Sequence, residues 1–222
     1  MKLEHLIRQA DLLPIEATKT KITMIGAGAV GSVASVFLAK MGFATQLVFD
    51  YDVIDEVNMN CQMYRLSDIG KKKVDALYET VLDYSGSKIF TVDEKFTSDM
   101  VLMSDIVITP VDCIDVRKDI FKSYIASPAC RYLIDTRMSI EYGLVYVVDK
   151  ENQKSVDRYK KTLHDKSESK PERCTNKSVM YTSGLISGLV CKAVKDISVG
   201  KKTFHTVIYN IADNDCVFFD ED

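Results

Sequence analysis

The sequence predicts an α/β protein in which a mostly parallel sheet is wrapped by helices and extended by antiparallel strands near the C-terminus. Three observations carry that expectation. Residues 21–52, KITMIGAGAVGSVASVFLAKMGFATQLVFDYD, read in order as strand, glycine-rich turn, helix, strand and acidic terminus. Short apolar runs then alternate with helical patterns as far as Asp135, the mark of parallel strands joined by helical crossovers. After Asp135, Tyr142, Leu144, Tyr146 and Val148 recur with a period of two, and two short strands flank Asp213 and Asn214, which suits antiparallel pairing.

Each element has its own local reason. Leu3 to Leu13 form an amphipathic helix ended by Pro14. Ile22, Met24 and Ile25 make the kind of apolar run that forms a parallel strand buried on both faces. Gly26, Gly28 and Gly31 follow in G-x-G-x-x-G spacing. The first suits a tight turn, the second lets backbone approach a phosphate, and the third lets helix and strand pack closely, with the helix N-terminus facing the anion. Val30, Val33, Ala34, Phe37, Leu38 and Met41 carry the helix to a glycine C-cap at Gly42. The next strand, Gln46 to Asp50, ends in Asp50 and Asp52, where a Rossmann-like fold places the acid that meets a ribose.

Further on, Val74, Leu77, Tyr78 and Val81 mark one face of a helix over 71–82, with Ser67 or Asp68 as its cap. Strands are expected at 88–92, 106–109 and 132–135, with a helix from about Asp115 to Ile125 and a returning strand over 136–148. The segment 149–177 turns to Lys, Glu, Asp, Ser and Asn, which reads as a mobile crossover loop. A buried helix over 181–194 carries Gly184 and Gly188 one turn apart, a spacing that permits close packing, and Thr203–Tyr209 with Cys216–Phe219 close the chain as a hairpin. One unit is expected over 1–222: a nucleotide-binding core at 1–148, the loop at 149–177, and a helix and hairpin at 178–222.

Composition narrows the function classes. With 46% hydrophobic and 27% charged residues the chain is globular, and a net charge of −3 argues against nucleic-acid binding driven by overall charge. Six cysteines, at 61, 113, 130, 174, 191 and 216, form no C-x-x-C pair, so the usual zinc spacing is missing. The charged N-terminus does not read as a signal peptide, and no apolar run approaches the roughly 20 residues of a membrane span, so a cytoplasmic setting is expected.

Several separate stretches resemble one family, the ATP-dependent activating enzymes of ubiquitin and its bacterial sulfur-carrier relatives, of the ThiF/MoeB type. GAGAVGS followed by VFDYDVIDEVNMNCQ is similar to that family's glycine loop, D-x-D strand end and N-x-x-R-Q stretch. DIGKKKVDAL matches its G-x-x-K segment through Gly70 and Lys73, and VDCIDVR matches D-C-x-D-N through Asp112, Cys113 and Asp115. HLIRQ resembles the segment whose arginine, here Arg8, reaches the nucleotide of a partner subunit. CTNKSVMYTSGLISG resembles the stretch with the reactive cysteine, here Cys174.

The resemblance implies that the C-terminal carboxylate of a small ubiquitin-like or sulfur-carrier protein ending in Gly-Gly attacks ATP in the presence of Mg²⁺, within a homodimer. It implies roles too: Asp50 and Asp52 on ribose or metal, Asn58 and Gln62 along the pocket, Lys73 on phosphate, Asp112 beside the nucleotide, Asp115 on Mg²⁺, and Cys174 as acyl acceptor. Read singly, each keeps a bland alternative. Lys73 could belong to a solvated face with Lys71 and Lys72, Asp112 and Asp115 could be a turn and a helix cap, and Cys174 could be an ordinary cysteine. Two departures stand out. Cys61 replaces the family's arginine, for which Arg65 or a second subunit's Arg8 are the substitutes considered, and Val116 replaces an asparagine. An NAD-dependent oxidoreductase and a catalytically silent nucleotide-binding module are the competing functions.

Overall fold

The computed structural model describes residues 3–163 and 178–220. In chain order its strands and α-helices are β1 (Ile22–Ile25), α1 (Ala29–Lys40), β2 (Gln46–Phe49), α2 (Lys73–Ser85), β3 (Phe90–Val92), β4 (Ile106–Thr109), α3 (Ile114–Ala126), β5 (Tyr132–Met138), β6 (Tyr142–Asp149), α4 (Gln153–Lys160), α5 (Met180–Ser198), β7 (Phe204–Asn210) and β8 (Asp215–Asp220). The strands form one sheet in the order β3-β2-β1-β4-β5-β6-β7-β8. The first five are parallel, with Ile22 level with both Gln46 and Ile106, and β6, β7 and β8 join antiparallel.

The sheet separates two apolar layers, as the alternation of side chains along a strand requires. Ile22 and Met24 of β1 pack with Val30, Ala34, Leu77, Ile186 and Val190 of α1, α2 and α5. Ile25 joins Val107, Leu133 and Val148 against Ile120, Tyr124, Val156 and Tyr159 of α3 and α4. Each fully buried Ile or Met contributes roughly 1.5–3 kcal/mol, which fixes the strand register because a one-residue slip would exchange the layers. Helix α5 runs alongside α1, its Ser187 hydroxyl donating to Val30 O at 3.1 Å.

Four expectations are corrected. Leu3–Gln9 forms a 3₁₀ turn rather than an α-helix reaching Leu13. Only Leu6 and Leu13 of the measured side chains there are buried, too little to offset helix nucleation. The cap of α2 is neither Ser67 nor Asp68: Gly70 at φ +87° breaks the chain after a separate turn, and Lys72 precedes the helix without a side-chain cap. The polar segment 149–177 is not loop throughout, because Asn152 Oδ1 accepts from Lys154 N and Ser155 N and starts α4, whose Val156 and Tyr159 are buried. Gly184 and Gly188 make no close packing within the chain, since a Cβ on either would meet nothing within 4 Å. Among the described residues no helix is long and apolar enough to cross a membrane.

Candidate nucleotide site

The glycine turn lies where the strand order reverses. β1 sits between β2 and β4, so chain leaves its carboxyl end in one direction and later returns in the other. Ligands of open α/β sheets bind in the crevice such a switch creates. Gly26 takes φ +110°, which a side chain resists, and donates its N–H to Phe49 O at 2.8 Å. A Cβ on Gly31 would stand 2.0 Å from Gly26 O, so α1 presses directly on the turn. A Cβ on Gly28 would meet nothing within 4 Å, and the N-terminus of α1 is open at that point.

Three side chains build the turn from below. Asp50 accepts from Ala27 N at 2.7 Å and from Asp52 N at 2.8 Å. Tyr64 donates its hydroxyl to Ala27 O at 2.7 Å. Ser32 donates to Gly28 O at 2.7 Å and accepts from Met63 N at 3.0 Å. Burial raises the Asp50 pKa against the opposing Lys73 charge and the two N–H donors. Burial, reinforced by the charges of Asp50 and Asp52, raises the Tyr64 phenol well above its usual value, so it remains a donor. Asp50, expected on a ribose or metal, accepts one backbone N–H at each oxygen, which leaves each a further lone pair.

The charge facing the crevice comes from the next layer. Lys73 opens α2 and its Nζ lies 2.6 Å from Asp52 Oδ2, with side-chain exposures of 9% and 50%. The lysine is therefore drawn inward, unlike Lys71, which pairs with Asp68 and Glu79 on the outside of α2. Gln62 is buried and its Oε1 has no hydrogen-bond partner, a group that an amide or hydroxyl of a ligand would satisfy. Asn58 spends its Oδ1 on Asp55 N at 3.1 Å.

Cys61, in the position of the resembling family's arginine, is buried, and Ser178 donates its hydroxyl to the sulfur at 2.9 Å. Asn60 Nδ2 donates to Ser178 O at 2.8 Å, so this stretch is tied to the residues that lead into α5. Arg65 is ion-paired with Asp83. That aspartate lies ten residues along α2 from Lys73, about 15 Å at 1.5 Å per residue, which holds the guanidinium toward the far end of the helix.

Asp112 and Asp115 are exposed, in the loop after β4 and the first turn of α3. Arg117, which sequence reasoning missed, anchors that loop. Its Nε donates to Asp135 Oδ1 at 2.9 Å, and its Nη2 to Thr136 O and to Val111 O. The signal was present: Arg117 precedes Ile120, Phe121 and Tyr124 at helical spacing, so it falls on the buried face and needs a partner there. Nothing in the sequence pointed to Tyr64 or Ser32. Among the described residues no group of three or more His, Cys, Asp or Glu side chains is placed to hold a metal. Asp112 and Asp115 each carry hard oxygen donors of the kind that Mg²⁺ takes.

Arg8 is exposed in the first turn. That turn packs at the opposite end of α1, where a Cβ on Gly42 would come within 2.9 Å of Leu6 Cδ1. The 12 residues of α1 put about 18 Å between that end and the glycine turn. Cys174 lies outside the described residues.

Comparison with known proteins identifies the family and the fold. The ThiF family model matches residues 6–216. A probable molybdopterin-synthase adenylyltransferase of Pyropia yezoensis is 30% identical over 186 residues, covering 78% of this chain and 46% of the relative. Ubiquitin-like modifier-activating enzyme 5 of Arabidopsis thaliana is 33% identical over 76 residues, covering 34% of this chain and 17% of that protein. The chain thus spans less than half the length of these curated relatives. Among solved structures, PaaA superposes with a TM-score of 0.77 at 20% identity, over 98% of this chain and 73% of its own. E. coli MccB, solved with ATP, superposes with a TM-score of 0.75 at 14% identity, over 99% and 71%.

Proposed function

The chain belongs to the ThiF family, and on that premise we propose that it uses ATP to adenylate the C-terminal carboxylate of a small ubiquitin-like or sulfur-carrier protein. The observation that carries this reading is the open N-terminus of α1 over Gly28, joined to the Lys73–Asp52 pair by Asp50, which accepts from both Ala27 N and Asp52 N. An NAD-dependent oxidoreductase would use the glycine turn but would leave Lys73, Gln62 and the Asp112–Asp115 loop without a task.

In the proposed reaction one oxygen of the carrier's carboxylate attacks the α-phosphorus of ATP, the bond to the bridging oxygen breaks, and pyrophosphate leaves. The backbone N–H groups at the start of α1 would take phosphate oxygens, and Lys73 would supply charge to the phosphates while Asp52 keeps its ammonium in place. Gln62 would orient the nucleotide through its unpartnered amide oxygen. Asp112 and Asp115 would hold Mg²⁺, which when bound neutralises charge on the phosphate oxygens. Arg8 would act on the nucleotide of a second copy, since in its own chain it starts from the far end of α1. That makes a homodimer the working assembly, with a Gly-Gly carrier as partner, in the cytoplasm. Cys174 would then accept the acyl group, forming a thioester as AMP departs.

One observation favours a second reading. Cys61 occupies the arginine position of the resembling family, and a chain short of that cation could bind nucleotide without catalysis. Isothermal titration separates the readings at their base: ATP with Mg²⁺ should bind and NAD should not. Exchange of labelled pyrophosphate into ATP, dependent on a ubiquitin-like carrier, tests the chemistry, and tight NAD binding with silence toward ATP would overturn the proposal.

A further inference from the structure

In the middle of β5, level with the carboxyl end of β4, two guanidinium groups share one carboxylate. Asp135 is fully buried, and its Oδ1 accepts from Arg117 Nε at 2.9 Å while its Oδ2 accepts from Arg137 Nε at 3.0 Å. Both arginines are themselves largely removed from water, with side-chain exposures of 7% and 24%. A buried carboxylate with two cations is retained only where geometry is well satisfied, because desolvation opposes it.

The two arms lead to different places. Arg137 donates to Thr162, through Nη1 to the carbonyl at 3.2 Å and Nη2 to the hydroxyl at 2.7 Å, beyond the end of α4. Arg117 leads to the loop after β4, where Nη2 donates to Val111 O and also to Thr136 O at 2.9 Å. Val111 stands between Pro110 and Asp112. The same short loop abuts the glycine turn, since a Cβ on Gly26 would be 3.3 Å from both Pro110 O and Val111 Cγ1, and one on Gly31 would be 3.1 Å from Pro110 Cγ. The loop is thus fixed on one side by the glycine turn and on the other by the Arg117 fork.

We infer that Arg117 is a positioning residue for a metal–nucleotide site, holding the 110–112 loop and the first turn of α3 so that Asp112 and Asp115 are presented together beside the glycine turn. This rests on the functional reading above. Arg117 touches neither nucleotide nor metal; it acts through Val111 O and through its own place one turn into α3. The planar fork is what the task needs, because one nitrogen engages the carboxylate while another reaches two carbonyls in fixed directions. Lysine keeps the charge but cannot hold that geometry.

The test compares two variants that each remove one arm from the same buried carboxylate. ATP binding to the full chain is measured by isothermal titration with and without Mg²⁺ for wild type, Arg117→Lys and Arg137→Lys. We expect Arg117→Lys to lose at least tenfold of the Mg²⁺-dependent gain in affinity, with metal-free ATP binding changed less than twofold. Arg137→Lys should keep the gain, although it too removes a guanidinium from Asp135. A merely structural role predicts equal losses in the two variants, and that result overturns the inference. So does an Arg117→Lys chain indistinguishable from wild type. If Arg117→Lys does not fold, Arg117→Gln, which keeps an amide donor for Val111 O, is measured in its place. A wild type with no Mg²⁺-assisted ATP binding overturns the functional reading and this inference with it, whereas loss confined to the variant comparison overturns the inference alone.

Discussion

Two alanines placed three residues apart in the glycine turn should act by different routes. At Gly31 an added Cβ lies 2.0 Å from Gly26 O, 2.9 Å from Gly26 C and 3.1 Å from Pro110 Cγ. Relief from 2.0 Å to an ordinary contact of 3.4 Å requires backbone to move by about 1.4 Å, and because the obstacle is main chain on one side and a loop on the other, no rotamer change absorbs it. Overpacking of this kind costs about 1–3 kcal/mol, which for a chain of this size lowers Tm by roughly 2–12 °C. At Gly28 the Cβ meets nothing within 4 Å and φ is −78°, so the cost of Gly28→Ala is confined to a ψ of −147° that alanine disfavours and to a weaker helix N-cap, together about 1–2 kcal/mol. Its methyl nevertheless enters the space assigned to phosphate, and a misplacement near 1 Å can cost on the order of 100-fold. Urea unfolding and ATP titration of the two variants separate the effects: Gly31→Ala loses binding along with stability, whereas Gly28→Ala loses binding out of proportion to its loss of stability. A Gly28→Ala chain that binds ATP like wild type would show that the opening over α1 is not the phosphate site, and a fully stable Gly31→Ala chain would refute the packing argument.

Other expectations follow from single contacts. Lys73→Ala should reduce carrier-dependent pyrophosphate exchange about tenfold or more, since a hydrogen bond to a charged group is worth about 1.5–3 kcal/mol; exchange at the wild-type rate would remove Lys73 from the site. Mixing Arg8→Ala with Lys73→Ala chains should restore exchange if Arg8 works across a dimer, and unmixed and mixed samples of equal activity would count against that assembly. Burial pushes the Cys130 thiol up to about 11 and Cys191 up to about 12, so at pH 8 their thiolates are scarce. Iodoacetamide should modify exposed Cys216 in the native chain and reach Cys130 and Cys191 only in denaturant, as peptide mass mapping would show. Cys174→Ala should leave pyrophosphate exchange nearly intact while abolishing a reducible conjugate with the carrier, and a conjugate surviving in the variant would exclude it as acyl acceptor.

The parts of this fold that were legible in the sequence are those where one residue type is forced by backbone geometry or by continuous burial. The β1 run at Ile22, Met24 and Ile25, the closely packed Gly31 and the Gly42 turn all belong to that group. The helix α4 escaped because it buries only two large residues, Val156 and Tyr159, within a charged stretch, and its strongest signal was the Asn152 cap. The separate turn before α2 was hidden for a related reason, since Asp68 resembles a cap in sequence but accepts from Arg65 N three residues earlier. At the site, the spacing of Asp50, Asp52 and Lys73 was readable, but the division of labour was not. Which carboxylate builds the loop and which faces the crevice depends on long-range contacts such as Ala27 N to Asp50, and one-dimensional pattern carries no record of them.

The balance of charge around the glycine turn gives the proposed metal a physical reason. Asp52, Asp112 and Asp115 are at least half exposed or lie on the surface beside the crevice, Asp50 lies beneath it, and Lys73 is already committed to Asp52. Arg65, Arg117 and Arg137 are each held by carboxylates, Asp83 for the first and Asp135 for the other two. With cysteine at position 61, where the resembling family has arginine, a triphosphate bound as proposed would face these carboxylates without that guanidinium. Like charges in such proximity disfavour binding, and a cation arriving with the ligand or from another chain would offset them. Mg²⁺ enters with ATP and would convert Asp112 and Asp115 from repelling groups into ligands, while Arg8 would bring a cation from a second copy. Affinity for ATP should therefore depend on Mg²⁺ more steeply here than in a Cys61→Arg variant, provided that the variant accommodates the larger side chain against Ser178. Titrations of both chains across Mg²⁺ concentrations measure this directly. Equal metal dependence would mean that position 61 does not contribute to charge at the phosphate site, and that the glycine turn and Lys73 neutralise the triphosphate by themselves.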